Sequence, residues 1–366
     1  MVGKKSLTSR FSSYFIDWIH TFKGQLTLVC LVGLCLIPLV VQDAYNLGIF
    51  VWFMVLAIFA ASWDFLAGFV GQVSFGHAIF LGLGGYVTAY LVRYGIPYLD
   101  WDDGLWYHTG PLPWWVSLFT GAIIAVVMGL IIGVPALRLR GPYLALGTLA
   151  MSLILYQVFL MGTLADWWEA TFGTKLFGSN GVTLIGNPIS TNPIIEYFII
   201  LLIMCISFIA LIQITKSKAG TLFKAIRDDE TGTRASGINV TKYKVIAFMI
   251  SGFFAGLAGG LFAMHFRGVN PGVYQPLYSF YAIIVAALGG IATISGAGLG
   301  AFIFVFIGEL INTITSIFSG VAPNLVYFSL LTFSIILICF IRFFEHGILN
   351  WALEHLKDAW DFLLGR

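Results

Sequence analysis

The chain has 366 residues, 59% of them hydrophobic and 10% charged, with 41 glycines and a formal net charge of +2. A soluble domain carries about 25% charged residues, so lipid must be the solvent for much of this surface. No basic block offers a nucleic-acid surface, and Cys30, Cys35, Cys205 and Cys339 lie inside apolar runs with neither metal-ligand spacing nor a disulfide framework.

The first apolar run begins near Leu26, behind Lys4, Lys5, Arg10 and Lys23. No small-x-small cleavage site follows it, so it reads as a retained first span. Ahead of it, Phe11, Tyr14, Phe15, Trp18, Ile19 and Phe22 share one helix face. Ile348, Trp351, Ala352, Leu356, Ala359 and Leu363 do the same near the other end. Both segments are expected to lie flat on the inner membrane surface.

A spanning helix needs about 20 mostly apolar residues. Ten stretches qualify: 25–42, 46–66, 72–92, 114–137, 142–164, 194–214, 244–265, 278–295, 298–319 and 323–341. Glycines interrupt the third and the eighth. The predicted fold is therefore all-α, a polytopic integral membrane helical bundle of about ten transmembrane helices with glycine-broken segments. Its membrane domain covers 25–342, between cytoplasmic amphipathic segments at 1–24 and 343–366. With the N-terminus inside, Arg93, Lys175 and Arg267 fall outside, and the rest of the nineteen Lys and Arg fall inside. That is the positive-inside bias of a multi-pass plasma-membrane protein with both termini cytoplasmic. The outer stretches 98–113 and 165–193 carry Asp100, Trp101, Asp102, Asp103, Trp106, Asp166, Trp167, Trp168 and Glu169, a mix suited to an interface or to receiving a partner.

Residues 71–77, Gly-Gln-Val-Ser-Phe-Gly-His, place Gln72, Ser74 and His77 among glycines at membrane depth. Glycines let a helix break, and freed backbone groups are tolerated only inside protein or beside water. The stretch fits a substrate path or a tight helix–helix contact, and the pattern alone leaves both open. The polar stretch 215–243 holds Arg227, Asp228, Asp229 and Glu230, then Gly237 and Asn239. It predicts a compact cytoplasmic helix stopped at Gly237, a docking surface rather than a merely solvated loop. Gly252, Gly256 and Gly260 recur every four residues and predict close helix packing. Asp64, His77 and Glu309 are ionisable at membrane depth. Asp64 lies within reach of the inner interface, His77 suits a neutral hydrogen-bonding role, and Glu309 has Asn312 three residues on as a local partner.

No G-x-x-x-x-G-K-[ST] loop is present, so nucleotide binding of that kind falls to another chain. No metal motif or nucleophile elbow appears either, and an enzyme is not indicated. A docking loop without an energy source points to a separate motor.

Several stretches together resemble the permeases of branched-chain amino acid ABC importers (the LivH/LivM family). They are GQVSFGHAIFLGLGGY (71–86), RLRGPYLALGTLAMSLIL (138–155), KAIRDDETGTRASGINVTKYKVIAFMISGFFAGLAGGLFA (224–263) and ALGGIATISGAGLGAF (287–302). The segment from Arg227 to Asn239 looks more like the LivM-type subunit. The resemblance implies a homologous LivH-like permease, two cytoplasmic ABC ATPases that hold the ATP and magnesium, and a periplasmic substrate-binding protein. It implies leucine, isoleucine or valine as cargo, with no cofactor on this chain. Loop 215–243 would be the coupling loop, carried by Arg227, Asp228, Glu230, Gly237 and Asn239. Gln72, Ser74, His77 and Glu309 would line the path. Two departures stand out. Glu230 to Gly237 spans seven positions where importers generally have six, and Asp64 stands where relatives often have Asn. Urea and short-amide permeases share much of the framework, and a stand-alone secondary transporter using Asp64, His77 and Glu309 is the other reading.

Overall fold

The computed structural model describes residues 22–100, 106–136, 139, 141–318, 325–343 and 347–349. Helices α1 (Phe22–Val40), α2 (Ala44–Asp64), α3 (Ala78–Arg93), α4 (Trp114–Ala136), α5 (Pro142–Leu160) and α6 (Gly162–Phe172) form the first half. Helices α7 (Pro193–Lys216), α8 (Lys218–Asp228), α9 (Glu230–Ala235), α10 (Val240–His265), α11 (Pro276–Gly289), α12 (Ile294–Phe318) and α13 (Leu325–Phe343) form the second. Two small antiparallel pairs complete it. Strand β1 (Pro97–Leu99) pairs with β2 (Trp106–His108), and β3 (Val182–Thr183) pairs with β4 (Gly268–Val269).

The chain is an all-α membrane bundle. Each of the ten apolar stretches falls on a helix, but they are not equal. Among the described residues, six are long and apolar enough to cross a membrane: α2 with its extension, α4, α5, α7, α10 and α12. Helices α3 and α11 are shorter. The third stretch begins later than its composition suggests, because residues 71–77 are not helical and α3 starts only at Ala78. The fifth ends early. Met161 takes an extended conformation and a separate helix, α6, carries Asp166, Trp167, Trp168 and Glu169, so that outer stretch is part helix. The N-terminal amphipathic segment lies outside the described residues except for its edge at Phe22, and so does most of the C-terminal one.

Polar residues at the helix starts set the boundaries. Asp43 caps α2 by accepting from the Asn46 N–H, Asn192 caps α7 ahead of Pro193, and Asn239 caps α10 through the Lys242 N–H. Each satisfies an amide that the first turn leaves without a partner. Helix α2 is the core of the bundle. Its spanning stretch is 83% buried, against 28% for α5, so the one packs within the chain on nearly every side and the other leaves most of its apolar surface uncovered by it.

Small residues bring α10 against α3 and α4. A Cβ on Gly252 would come within 3.0 Å of the Ala125 carbonyl oxygen, one on Gly256 would strike the Ala125 side chain, and one on Gly260 would strike Leu118 and Thr88. The four-residue glycine repeat is thus a packing face. The α11–α12 pair closes similarly, Gly289 against Gly296 and Gly300 against Val285.

Candidate functional site

At its Asp64 end α2 widens into a π-helical turn, Phe65–Phe69, whose five residues are all buried. Gly71 then takes a positive φ of 73° and the chain runs without regular structure, through a bend and a turn, to α3. The freed amides find side chains from distant helices. Thr148 Oγ1 accepts from the Phe75 and Gly76 N–H groups at 3.1 and 3.3 Å, and Ser279 Oγ accepts from the Ala78 N–H at 2.9 Å. Trp63 Nε1 donates to the Ser74 carbonyl at 2.8 Å. The break is therefore half enclosed: Ser74, Gly76 and His77 are buried, while Gly71, Gln72, Val73 and Phe75 border a cavity, the setting in which freed backbone groups are tolerated at membrane depth.

Two cavities open at opposite ends of α2. The lower one, about 610 Å³, lies at the π turn and is bordered by Gln72, Arg227, Glu230 and Lys244. The upper one, about 960 Å³, lies at the Ala44 end and is bordered by Tyr45, Trp52, His265, Arg267, Tyr281 and Glu309 among others. Between them the helices close. His77 is fully buried, with Nε2 at 2.8 Å from Ser62 Oγ and its ring between Phe59 and Phe80. Ser251 Oγ of α10 donates to the Ser62 carbonyl at 2.7 Å.

The four path candidates therefore separate. Gln72 borders the lower cavity and Glu309 the upper. Ser74 and His77 are buried and border neither, Ser74 just behind the lower cavity's wall and His77 against Ser62. Glu309 accepts a 2.7 Å hydrogen bond from Tyr45, 264 positions away in sequence, rather than from its neighbour Asn312. Asp64 does not reach an interface. It is buried, and Oδ1 accepts at 2.7 Å from the N–H of Ala292, which sits at the α11–α12 break with a positive φ of 63°.

The polar stretch holds two helices, not one. Asp229 is extended between α8 and α9 and caps the second by accepting from the Thr231 and Gly232 N–H groups. Gly237, with φ of 83°, ends the pair, and Asn239 starts α10. Helix α8 buries Phe223 and Ile226, and Phe223 meets Phe65 of the π turn edge-on at 5.6 Å. Arg227 Nη1 donates to the Gly68 carbonyl at 2.8 Å, while its Nε contacts Asp228 at 2.9 Å. Glu230 bridges Arg234 at 3.0 Å and Lys244 of α10 at 2.6 Å. Arg227 and Glu230 thus fasten the helix pair to the membrane bundle, and Asp228 is left exposed.

Sequence reasoning missed one part-buried pair. His265 Nδ1 meets Glu196 Oε1 at 2.9 Å, joining the end of α10 to the start of α7 beside the upper cavity. The two residues lie near the edges of predicted spans, and only their ionisable character marked them.

Residues 45–340 match the family profile described as branched-chain amino acid transport system / permease component. The chain belongs to that family. The permease is 28% identical over 316 residues to the high-affinity branched-chain amino acid transport system permease protein LivM of Escherichia coli, covering 80% of this chain and 69% of that protein. It is 25% identical over 257 residues to the permease protein BraD of Pseudomonas aeruginosa, covering 68% of this chain and 78% of that one. A ribose import permease protein, RbsC of Escherichia coli, is 29% identical over 54% of the chain and 63% of its own length. No solved structure matches the permease.

Proposed function

We propose that this permease moves branched-chain amino acids into the cell as one membrane subunit of an ATP-binding-cassette importer. The family match over residues 45–340 carries this reading, and LivM and BraD are named for that cargo. The partners are a second, LivH-like permease, two cytoplasmic ATPases that hold ATP and magnesium, and a periplasmic binding protein. The lower cavity and the α8–α9 pair face the cytoplasm, in keeping with the Lys and Arg gathered there, and the upper cavity faces outward.

The geometry suggests how the motor acts on the bundle. Helix α8 meets the core helix through Phe223 on Phe65 and Arg227 on the Gly68 carbonyl. An ATPase that shifts α8 therefore pulls on a π turn, where the backbone ladder is already widened. The buried layer around Ser62 and His77 separates the two cavities. Opening it from one side while closing the other is alternating access between two packings. Aliphatic cargo needs an apolar path with a few hydrogen-bonding groups, which agrees with the sparse charge of the spans.

The test is leucine uptake into proteoliposomes holding this permease, its partner permease and the ATPases, with binding protein added. ATP-dependent uptake of leucine, competed by isoleucine and valine, is expected. Uptake driven by an ion gradient without ATPase would instead support a stand-alone transporter. Replacing Arg227 with Ala and Glu230 with Gln together is expected to leave ATP hydrolysis running while uptake falls at least about tenfold, since two charge-assisted links are lost.

A further inference from the structure

We propose that the upper cavity is a receiving site for the head group of the incoming amino acid: Arg267 takes the α-carboxylate, Glu309 the α-ammonium, and the aromatic wall the aliphatic side chain. The proposal rests on the reading of the permease as an amino acid importer. It adds the site and the residues that recognise the cargo.

Two charges of opposite sign border this one cavity without a counterion. Glu309, half-buried on α12, accepts only from the neutral Tyr45 hydroxyl, and no cation pairs with it among the described residues. Arg267 is exposed at the cavity edge and forms no ion pair among the described residues. The same wall shows what a satisfied pair looks like, with His265 and Glu196 in contact at 2.9 Å. Glu309 lies on a spanning helix, where a charge is costly unless it is paired or hydrated, and Arg267 stands exposed at the edge of the same cavity. A zwitterion brings both counter-charges and no net charge. A neutral sugar would bring neither, so the unpaired couple favours amino acid cargo over the cargo named for the ribose relatives.

The backbone places Arg267 with unusual care. Its φ of 56° is in the left-handed region that a side-chain-bearing residue rarely adopts. Its carbonyl is fixed by the Leu184 N–H at 2.8 Å, next to the β3–β4 pairing of Val182 with Val269 and of Thr183 with Gly268. Strain that the surroundings maintain is a pointer to function. The other arginine in this region, Arg93, is already bonded to Thr183 and has no such freedom.

The remaining wall suits an aliphatic chain beside an ammonium group. Trp52 meets Phe262 edge-on at 5.7 Å, Phe262 meets Tyr278 at 5.8 Å, and Tyr281 packs on Phe304 at 5.4 Å. Aromatic faces attract cations as well as covering apolar groups. A volume of about 960 Å³ accommodates one amino acid with water around it.

The experiment measures equilibrium binding of radiolabelled leucine to the purified transporter, permeases with ATPases, in the absence of binding protein. Competitors are leucinol, which lacks the carboxylate, and 4-methylpentanoate, which lacks the ammonium. Wild type is expected to prefer leucine to both. Glu309→Gln should weaken leucine binding about tenfold or more and erase the preference over 4-methylpentanoate. Arg267→Gln should do the same with respect to leucinol, and Glu309→Asp and Arg267→Lys should restore part of each preference. All variants are first checked for monodisperse elution, and the charge-conserving pair carries the test where a neutral variant does not assemble. Unchanged preferences, or equal losses for all three compounds, overturn the site. So does an Arg267→Gln variant whose defect is confined to association with the binding protein, which would make Arg267 a docking residue. A wild-type transporter that takes up leucine yet shows no binding without binding protein also overturns the site alone. A wild-type transporter that takes up ribose and not leucine overturns the functional reading itself.

Discussion

A single methyl group at Gly256 would strike the side chain of Ala125 across the α10–α4 contact. Backbones at that distance can only separate to admit it, because packed interiors have little free volume. Gly256→Val is expected to destabilise the permease by about 1–3 kcal/mol, seen as a lower Tm in detergent by a thermal-shift measurement on the purified protein. Thr148 poses a different problem. Its hydroxyl oxygen accepts from both Phe75 and Gly76. Thr148→Val keeps the shape and leaves buried donors unmatched, at a cost of about 1–3 kcal/mol. Hydrogen–deuterium exchange should then rise over residues 71–77 before it rises in α2. The glycine spacing of α10 announced the first of these effects in the sequence. The second was invisible there, since Thr148 lies 73 positions from Phe75 and has the look of any helix-facing threonine.

At the scale of elements, the informative feature is how the α8–α9 pair meets the end of α2. The sequence marked residues 215–243 as an ordered charged segment and Gly237 as its stop, and both hold in the structure. It did not reveal that Asp229 divides the segment into two helices. Nor did it reveal that Arg227 and Glu230 point back at the bundle. Charges of both signs on a short helix fit an outside partner and an inside one equally well, and only the positions of Gly68 and Lys244 decide between them. The link between Arg227 and the Gly68 carbonyl also gives the double replacement described above its expected form. Hydrolysis continues because the ATPase is intact, and transport falls because the pull no longer reaches the π turn.

Over the whole molecule, cavities at the two ends of α2 are separated by a buried layer, which is the arrangement an alternating-access carrier needs. The proposed orientation can be tested directly. A cysteine at Ser236, in a background with Cys30, Cys35, Cys205 and Cys339 replaced, is expected to resist a membrane-impermeant maleimide in intact cells and to react after permeabilisation. A cysteine at Asn180, beside the upper cavity, is expected to react in intact cells. The reverse pattern would invert the assignment of the two cavities and remove α8 from reach of a cytoplasmic motor.

The sequence by itself determined that this is a membrane-embedded helical bundle, where its apolar stretches run, which glycines pack and which polar segment is ordered. Those properties follow from composition and short-range spacing, and a solvent of lipid enforces them residue by residue. Only the tertiary structure decided that His77 is a buried contact, that Asp64 caps the α11–α12 break, that Tyr45 meets Glu309, and that Arg267 and Glu309 border one cavity. The reason is distance along the chain. These partners are brought together by helix packing, and no local pattern encodes which face of one helix will meet which face of another.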